Sequence, residues 1–479
     1  MHMVARTRPL WLWTAAALIL DIAGAQHVYM QPTVAAAALA ALAIGWLAPA
    51  SLWRADERVA GRAIPLLALL PPAALVAAMI DVAAFVPADS GWTPARLALL
   101  IGGGALLLLL AWGYSRGRVA AGWIALAALG LGVLIRMIHM RHITIEPANG
   151  DMLPLVQSAL TNLLAGRSPY MTYQMPWDVP LTYLPVTWLS YLPAYLLRVD
   201  LRWTNIAAES AIGAALLWLG AHSADRATGT RRNRLRGAWR DEPTLVLWAW
   251  LFLQPSVIHW DSGNSAPITW ALLAATIALV LAGNDRTGAL ALGLTAAGTP
   301  LAAVFGPFIG LYWLHQRGLA QTIRLLLISA IVAGALTIPF LLWAPGDFVN
   351  GVYRWFNTID GWPRQKWLET DPHIWSVITG FSGEFWSRGH ERWLKPIQAL
   401  IVLVAAGLYW LRGARGAELG RHAAAGYLGF MLFNPVLWPY LYNPALIVGL
   451  VGLIAPAAAY TAAVQPAPVA DTRSQPTFS

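Results

Sequence analysis

Apolar runs long enough to cross a bilayer recur along the chain, separated by short polar segments. The runs cover residues 10–25, 33–50, 63–86, 97–113, 119–140, 203–222, 243–259, 266–283, 288–314, 324–343, 397–411, 423–436 and 444–460. About 20 apolar residues make one spanning helix, so the pattern predicts an all-α polytopic membrane protein with about 13–14 membrane helices. The run 288–314 carries Gly298-Thr299-Pro300 near its middle and is expected to split into two half-helices. The shorter stretch 181–197 holds Pro185 and Pro193 and follows Pro180; it is expected to be a juxtamembrane helix rather than a span.

Basic residues set the orientation. Arg6 and Arg8, then Arg54, Arg58 and Arg62, then Arg116 and Arg118, and then Arg226, Arg231, Arg232, Arg234, Arg236 and Arg240 fall on one side by alternation. The positive-inside rule makes that side cytoplasmic, with both termini on it. Four polar segments are left facing outward: 141–183, 259–267, 344–395 and 433–444. The expected division is an N-terminal four-helix membrane extension (1–118), a core (119–460) with outer loops 141–202 and 344–395, and a disordered cytoplasmic tail (461–479).

Composition narrows the function classes. Only 11% of the 479 residues are charged, 58% are hydrophobic and the mean hydropathy is +0.55, which excludes a soluble or disordered chain. The +9 charge is almost all arginine, with lysine only at Lys366 and Lys395. It sits in loop clusters, which points to membrane topology and not to nucleic acid. The chain has no cysteine, so disulfides and thiolate metal sites are excluded. The arginine, alanine and leucine bias suggests a GC-rich bacterial genome, hence an inner membrane.

The first outer segment concentrates the candidate chemistry. Asp151 follows the turn dipeptide Asn149-Gly150 and opens an amphipathic helix of about 14 residues that ends at Ala165-Gly166. Asp151 has two readings there: an N-cap that stabilises the helix by about 1 kcal/mol, or a base that removes a proton from a sugar hydroxyl. Glu146 is a second acid nearby. Tyr170, Tyr173, Asp178 and Tyr183 are placed to bind sugar hydroxyls or to hold the loop. His259 and Asp261 form a polar pair beside a span end, readable as a second acidic site element or as a metal ligand pair, and with Asn264 they are candidates for sugar or acceptor binding. Two ligands alone do not make a metal site, so no metal is expected to be required. Arg136 and Glu209 fall inside spans near helix ends, where pairing or snorkelling would satisfy them.

GDMLPLVQSALTNLLAGRSPY followed by TYLPVTWLSYLPAYLL resembles the first outer loop of the GT-C glycosyltransferases. In those enzymes an acid follows a span, a helix ends in a Leu-x-Gly-x-x-Pro-Tyr type segment, and Tyr-x-Pro opens the next helix. Those positions are here Asp151, Leu164 to Tyr170, and Tyr183-Leu184-Pro185. The likeness is nearest to the polyprenyl-phosphate-mannose-dependent mannosyltransferases, and LTIPFLLWAPGDFVNGV and NPVLWPYLYNPALIVGL resemble their later motifs. It departs from them at Gly263-Asn264, which lacks an intervening Gln, at Thr299, where many relatives carry Lys, and in the four preceding spans.

The resemblance implies transfer of a sugar from a polyprenyl-phosphate donor to a lipid or glycan acceptor at the outer face. Asp151 would be the base, with Glu146 second. Arg364, Lys366, Arg354, His373 and Arg167 would meet the phosphate, or anionic lipid head groups. Trp362 would stack on a sugar, or join an interfacial aromatic belt. A lipid-diphosphate-dependent polymerase or ligase would share much of this architecture. A transporter or lipid flippase would require two related halves and acids near the midplane, whereas most acids here lie outside the spans.

Overall fold

The computed structural model describes residues 11–20, 32–48, 66–85, 93–147, 149–175, 178–223, 231–260, 263–355, 381–382, 385, 389–434 and 439–454. In chain order, α1 (Trp11–Leu20), α2 (Pro32–Leu47) and α3 (Leu70–Phe85) precede α4 (Pro94–Ser115) and α5 (Ala121–His142). The first outer segment holds α6 (Met152–Leu164), a hairpin of β1 (Thr172–Gln174) and β2 (Asp178–Pro180), and two single-turn helices, α7 (Pro185–Leu189) and α8 (Leu192–Leu196). Then come α9 (Arg202–Ser223), α10 (Arg231–Asp241), α11 (Thr244–Leu253), α12 (Pro255–Trp260), α13 (Ala266–Leu281) and α14 (Asp285–Ala296). A 3₁₀ turn, Pro300–Val304, leads to α15 (Gly306–Arg317), α16 (Leu319–Trp343) and α17 (Pro345–Val349), with a π-helical turn at Asn350–Arg354. The last helices are α18 (Leu394–Leu411), α19 (Gly416–Met431) and α20 (Asn443–Gly452).

The fold is the expected all-α polytopic membrane bundle. Among the described residues four helices are each long and apolar enough to cross a bilayer: α4, α5, α16 and α18. Two of the shorter apolar stretches are interrupted by the chain itself. The run 288–314 breaks at Gly298-Thr299-Pro300 into α14 and α15, as its sequence predicts. The run 243–259 was expected to be continuous, but it is broken. Gln254 is extended (ψ 133°) because Pro255 follows it, which separates α11 from α12. Residues 181–197 form two single turns instead of one helix, interrupted at Ser190–Tyr191 just ahead of Pro193. The β1–β2 hairpin, pairing Tyr173 with Val179, is a small addition that the apolar pattern did not signal.

Small residues let the helices close. A Cβ on Gly420 would lie 2.4 Å from the Gly452 Cα, so α19 and α20 cross backbone to backbone. The N-terminal helices join the same packing: Trp13 of α1 donates its indole N–H to the Leu446 carbonyl at 2.6 Å and sits edge-on to Trp250. Within the bundle, Arg136 and Glu209 are both buried and pair at 2.5 Å. The guanidinium also donates to the Phe252 carbonyl at 3.0 Å and lies over the Phe252 ring. This is the pairing anticipated for charges inside spans. Asp81 lies in α3, but its side chain, like the tail 461–479, is outside the described residues.

Candidate active site

In their described residues, the four polar segments expected to face outward meet at one end of the bundle. Arg202 anchors the first of them: it grips Asp200 through two nitrogens, at 2.9 and 2.6 Å, and donates to the Ile143 and Met140 carbonyls at the end of α5. Helix termini leave such carbonyls unsatisfied, and a cation is favoured there.

From that anchor the chain turns at Asn149-Gly150. Gly150 has φ +150°, and a Cβ on it would lie 2.8 Å from the Gly263 Cα. The second outer segment therefore rests backbone to backbone on the first, which only glycine allows at both positions. The contact has a chemical consequence. The Gly263 carbonyl accepts the Leu153 N–H at 3.1 Å, one of the free donors that an N-cap side chain normally takes. Asp151 holds the N-cap position of α6, yet its carboxylate makes no capping hydrogen bond. The capping reading thus has no bond behind it, because a carbonyl from another segment does that work.

The freed carboxylate is half-buried and has no ion-pair partner among the described residues. Burial raises its pKa above the usual carboxylate range, partly opposed by a hydrogen bond from its own amide. Two phenols share its surroundings. Burial first, and then the Asp151 charge, push the Tyr183 hydroxyl well above its ordinary value and raise that of Tyr440. Tyr440 comes from the fourth outer segment and was not singled out in the sequence; its membership of a polar outer segment was the available signal.

A hydrogen-bonded chain fixes the floor. The Tyr191 hydroxyl donates to Asn205 Oδ1, Asn205 Nδ2 donates to the Asn264 carbonyl at 2.7 Å, and Asn264 Oδ1 accepts the Ala266 N–H at 2.7 Å. Asn264 Nδ2 and Ser265 Oγ are buried and find no partner among the described residues. Both sit at the start of α13. Asn205 and Ser265 were also missed in the sequence, since a lone Asn or Ser in an apolar helix start carries no local signature.

The other predicted residues separate into groups. Tyr170 is fully buried; its hydroxyl donates to the Tyr183 carbonyl at 2.9 Å, and its ring packs 4.6 Å from Phe348. Tyr173 is buried and donates to the Pro169 carbonyl at 2.5 Å. Both hydroxyls are used in holding the loop. Tyr170 thereby sets the position of Tyr183. Glu146 is exposed and accepts from Asn149 Nδ2 at 3.1 Å, which stabilises the turn before Asp151. Arg167 follows the αL glycine Gly166 that ends α6 and is exposed, as are Asp178 in β2 and Arg354 at the end of the π-helical turn. Asn264 follows Gly263 and belongs to the hydrogen-bonded chain described above. His259 lies in α12, but its side chain, like Asp261, Trp362, Arg364, Lys366 and His373, is outside the described residues.

A helical membrane bundle with a half-buried carboxylate, phenols and unpaired polar donors at one end fits a membrane glycosyltransferase of GT-C type. Residues 180–435, more than half of the chain, match glycosyltransferase family 87. The chain belongs to that family and is a membrane glycosyltransferase. No curated protein and no solved structure matches it.

Proposed function

We propose that the protein transfers a sugar from a polyprenyl-phosphate donor to a lipid or glycan acceptor at the outer face of a bacterial inner membrane, with Asp151 as the base. The observation that carries this reading is the carboxylate itself: at a helix start, relieved of capping by the Gly263 carbonyl, and without a counter-cation among the described residues. In the reaction the acceptor oxygen bonds to the anomeric carbon while the bond from that carbon to the phosphate oxygen breaks. The polyprenyl phosphate leaves with the electron pair, and the acceptor proton passes to Asp151. A carboxylate whose pKa is raised by burial is a stronger base than one in water.

Asn264 Nδ2 and Ser265 Oγ supply donors toward the sugar or the leaving oxygen. Arg364 and Lys366, two residues apart in the third outer segment, are the proposed counter-charges for the phosphate, with Arg354 and Arg167 as exposed cations nearer the described loops. Mannose is the first sugar to try, on the strength of the motif resemblance.

The test uses purified protein in lipid nanodiscs with a panel of polyprenyl-phosphate sugars, extracted membrane lipids as acceptors, and mass spectrometry of donor loss. Consumption of one donor supports the reading and names the sugar. Consumption only of polyprenyl-diphosphate sugars would replace it with a polymerase or ligase.

A further inference from the structure

At the opposite end of α5 from Asp151 lies a cleft of about 550 Å³. α5 has 22 residues, about 33 Å at 1.5 Å per residue, so the cleft is a membrane thickness away from the proposed active site. Leu110 of α4 and Val119 and Ala120 of the α4–α5 turn form an apolar wall, and Trp123 and Trp239 form an aromatic one. Two guanidinium groups, Arg118 and Arg240, stand at the mouth.

The cleft is built and not incidental. α10 is seated by Trp239 over Gly122, where a Cβ would lie 2.1 Å from the indole. Trp239 also meets Trp123 edge-on at 5.7 Å, and Arg240 Nη2 donates to the Gly117 carbonyl at 3.4 Å. The charges around it are mostly of one sign. Arg116 stacks over Trp112, and Arg232 and Arg236 are exposed along α10. Two acids lie nearby: Asp241 approaches Arg240 at 3.9 Å with both side chains open to solvent, a pair too weak to neutralise the mouth, and Glu242 is buried and accepts from the Thr244 N–H and hydroxyl.

Apolar wall, indoles and paired guanidinium groups match an amphiphile with an anionic head. We propose that this cleft binds one anionic glycerophospholipid, its phosphate between Arg118 and Arg240 and its acyl stem along Leu110, Val119 and Trp123. A free phosphate would leave the apolar wall unused. Trp123, 52% exposed on a helix apolar enough to span the bilayer, is placed as interfacial tryptophans are. The arginine-rich end of the bundle is also the one that the positive-inside rule assigns to the anionic cytoplasmic leaflet surface. The proposal does not depend on the catalytic reading.

Native mass spectrometry of the full chain released from detergent, with phosphatidylglycerol or phosphatidylcholine added, tests it, together with thermal unfolding in the same lipids. The expected result is one phosphatidylglycerol retained under activation that strips phosphatidylcholine. Its affinity should fall about twenty-five-fold in the Arg118→Gln/Arg240→Gln variant, at about fivefold per interfacial arginine. Ala120→Trp, which fills the cleft and keeps both charges, should lose the lipid as well. It serves if the double variant does not fold. Three results would overturn the proposal: equal retention of both lipids, an equal loss in Arg232→Gln/Arg236→Gln, or equal stabilisation by inorganic phosphate alone.

Discussion

Replacing Asp151 separates its two roles because asparagine caps a helix as well as aspartate does, whereas alanine does not. If the carboxylate capped α6, Asp151→Ala would cost about 1 kcal/mol of stability and Asp151→Asn would restore it. The structure gives that capping bond to the Gly263 carbonyl, so both variants should unfold within about 0.5 kcal/mol of the wild type. Burial also sets the direction of pH dependence. The folded pKa of Asp151 lies above its unfolded value, so the folded state holds the proton more tightly. Wild-type stability then falls, relative to Asp151→Asn, as pH rises from the unfolded pKa through the folded one.

Transfer should respond differently. Loss of a general base removes about 10²–10⁴ in rate, or about 3–5 kcal/mol of barrier, in both variants. The assay is single-turnover donor consumption in nanodiscs across pH, with thermal unfolding of the same samples. Wild-type rate should rise with pH through the raised Asp151 pKa and then level off. Rescue of both stability and turnover by asparagine, or turnover by Asp151→Asn near that of the wild type, would refute the assignment and leave a structural cap.

Three further outcomes follow from named contacts. Gly263→Ala puts a Cβ 2.6 Å from the Gly150 Cα; since both partners are backbone, about 1–3 kcal/mol of stability should be lost and turnover should fall up to about a hundredfold, read by the same two assays. Glu209→Ala strands the buried Arg136 and should cost about 3–5 kcal/mol, whereas Arg136→Leu/Glu209→Leu should cost markedly less, which thermal unfolding in nanodiscs compares. Tyr170→Phe removes a hydroxyl spent on the Tyr183 carbonyl and should cost about 1 kcal/mol while donor KM stays unchanged; a raised KM would restore Tyr170 to the sugar-binding group.

Much of the architecture was legible in the chain because membranes impose a simple rule. Backbone groups must be satisfied within each segment, so apolar length alone announces helices. The break at Gly298-Thr299-Pro300 and the helix from Asp151 to Gly166 were readable for a related reason: glycine and proline act on their own backbone. The break at Gln254-Pro255 was equally local and was outweighed by the apolar run around it. The candidate site was only half legible. Asp151, Tyr183 and Asn264 stand out as polar residues in the polar segments between apolar runs, but their relation does not. That Gly263 relieves Asp151 of capping, that Tyr440 comes beside it, that Asn205 braces Asn264, and that Tyr170 and Tyr173 are spent on packing all depend on contacts between residues far apart in the chain. One-dimensional pattern carries hydrophobicity and local turn chemistry; which donor satisfies which acceptor, and so which carboxylate is left free to react, is decided only when the segments pack.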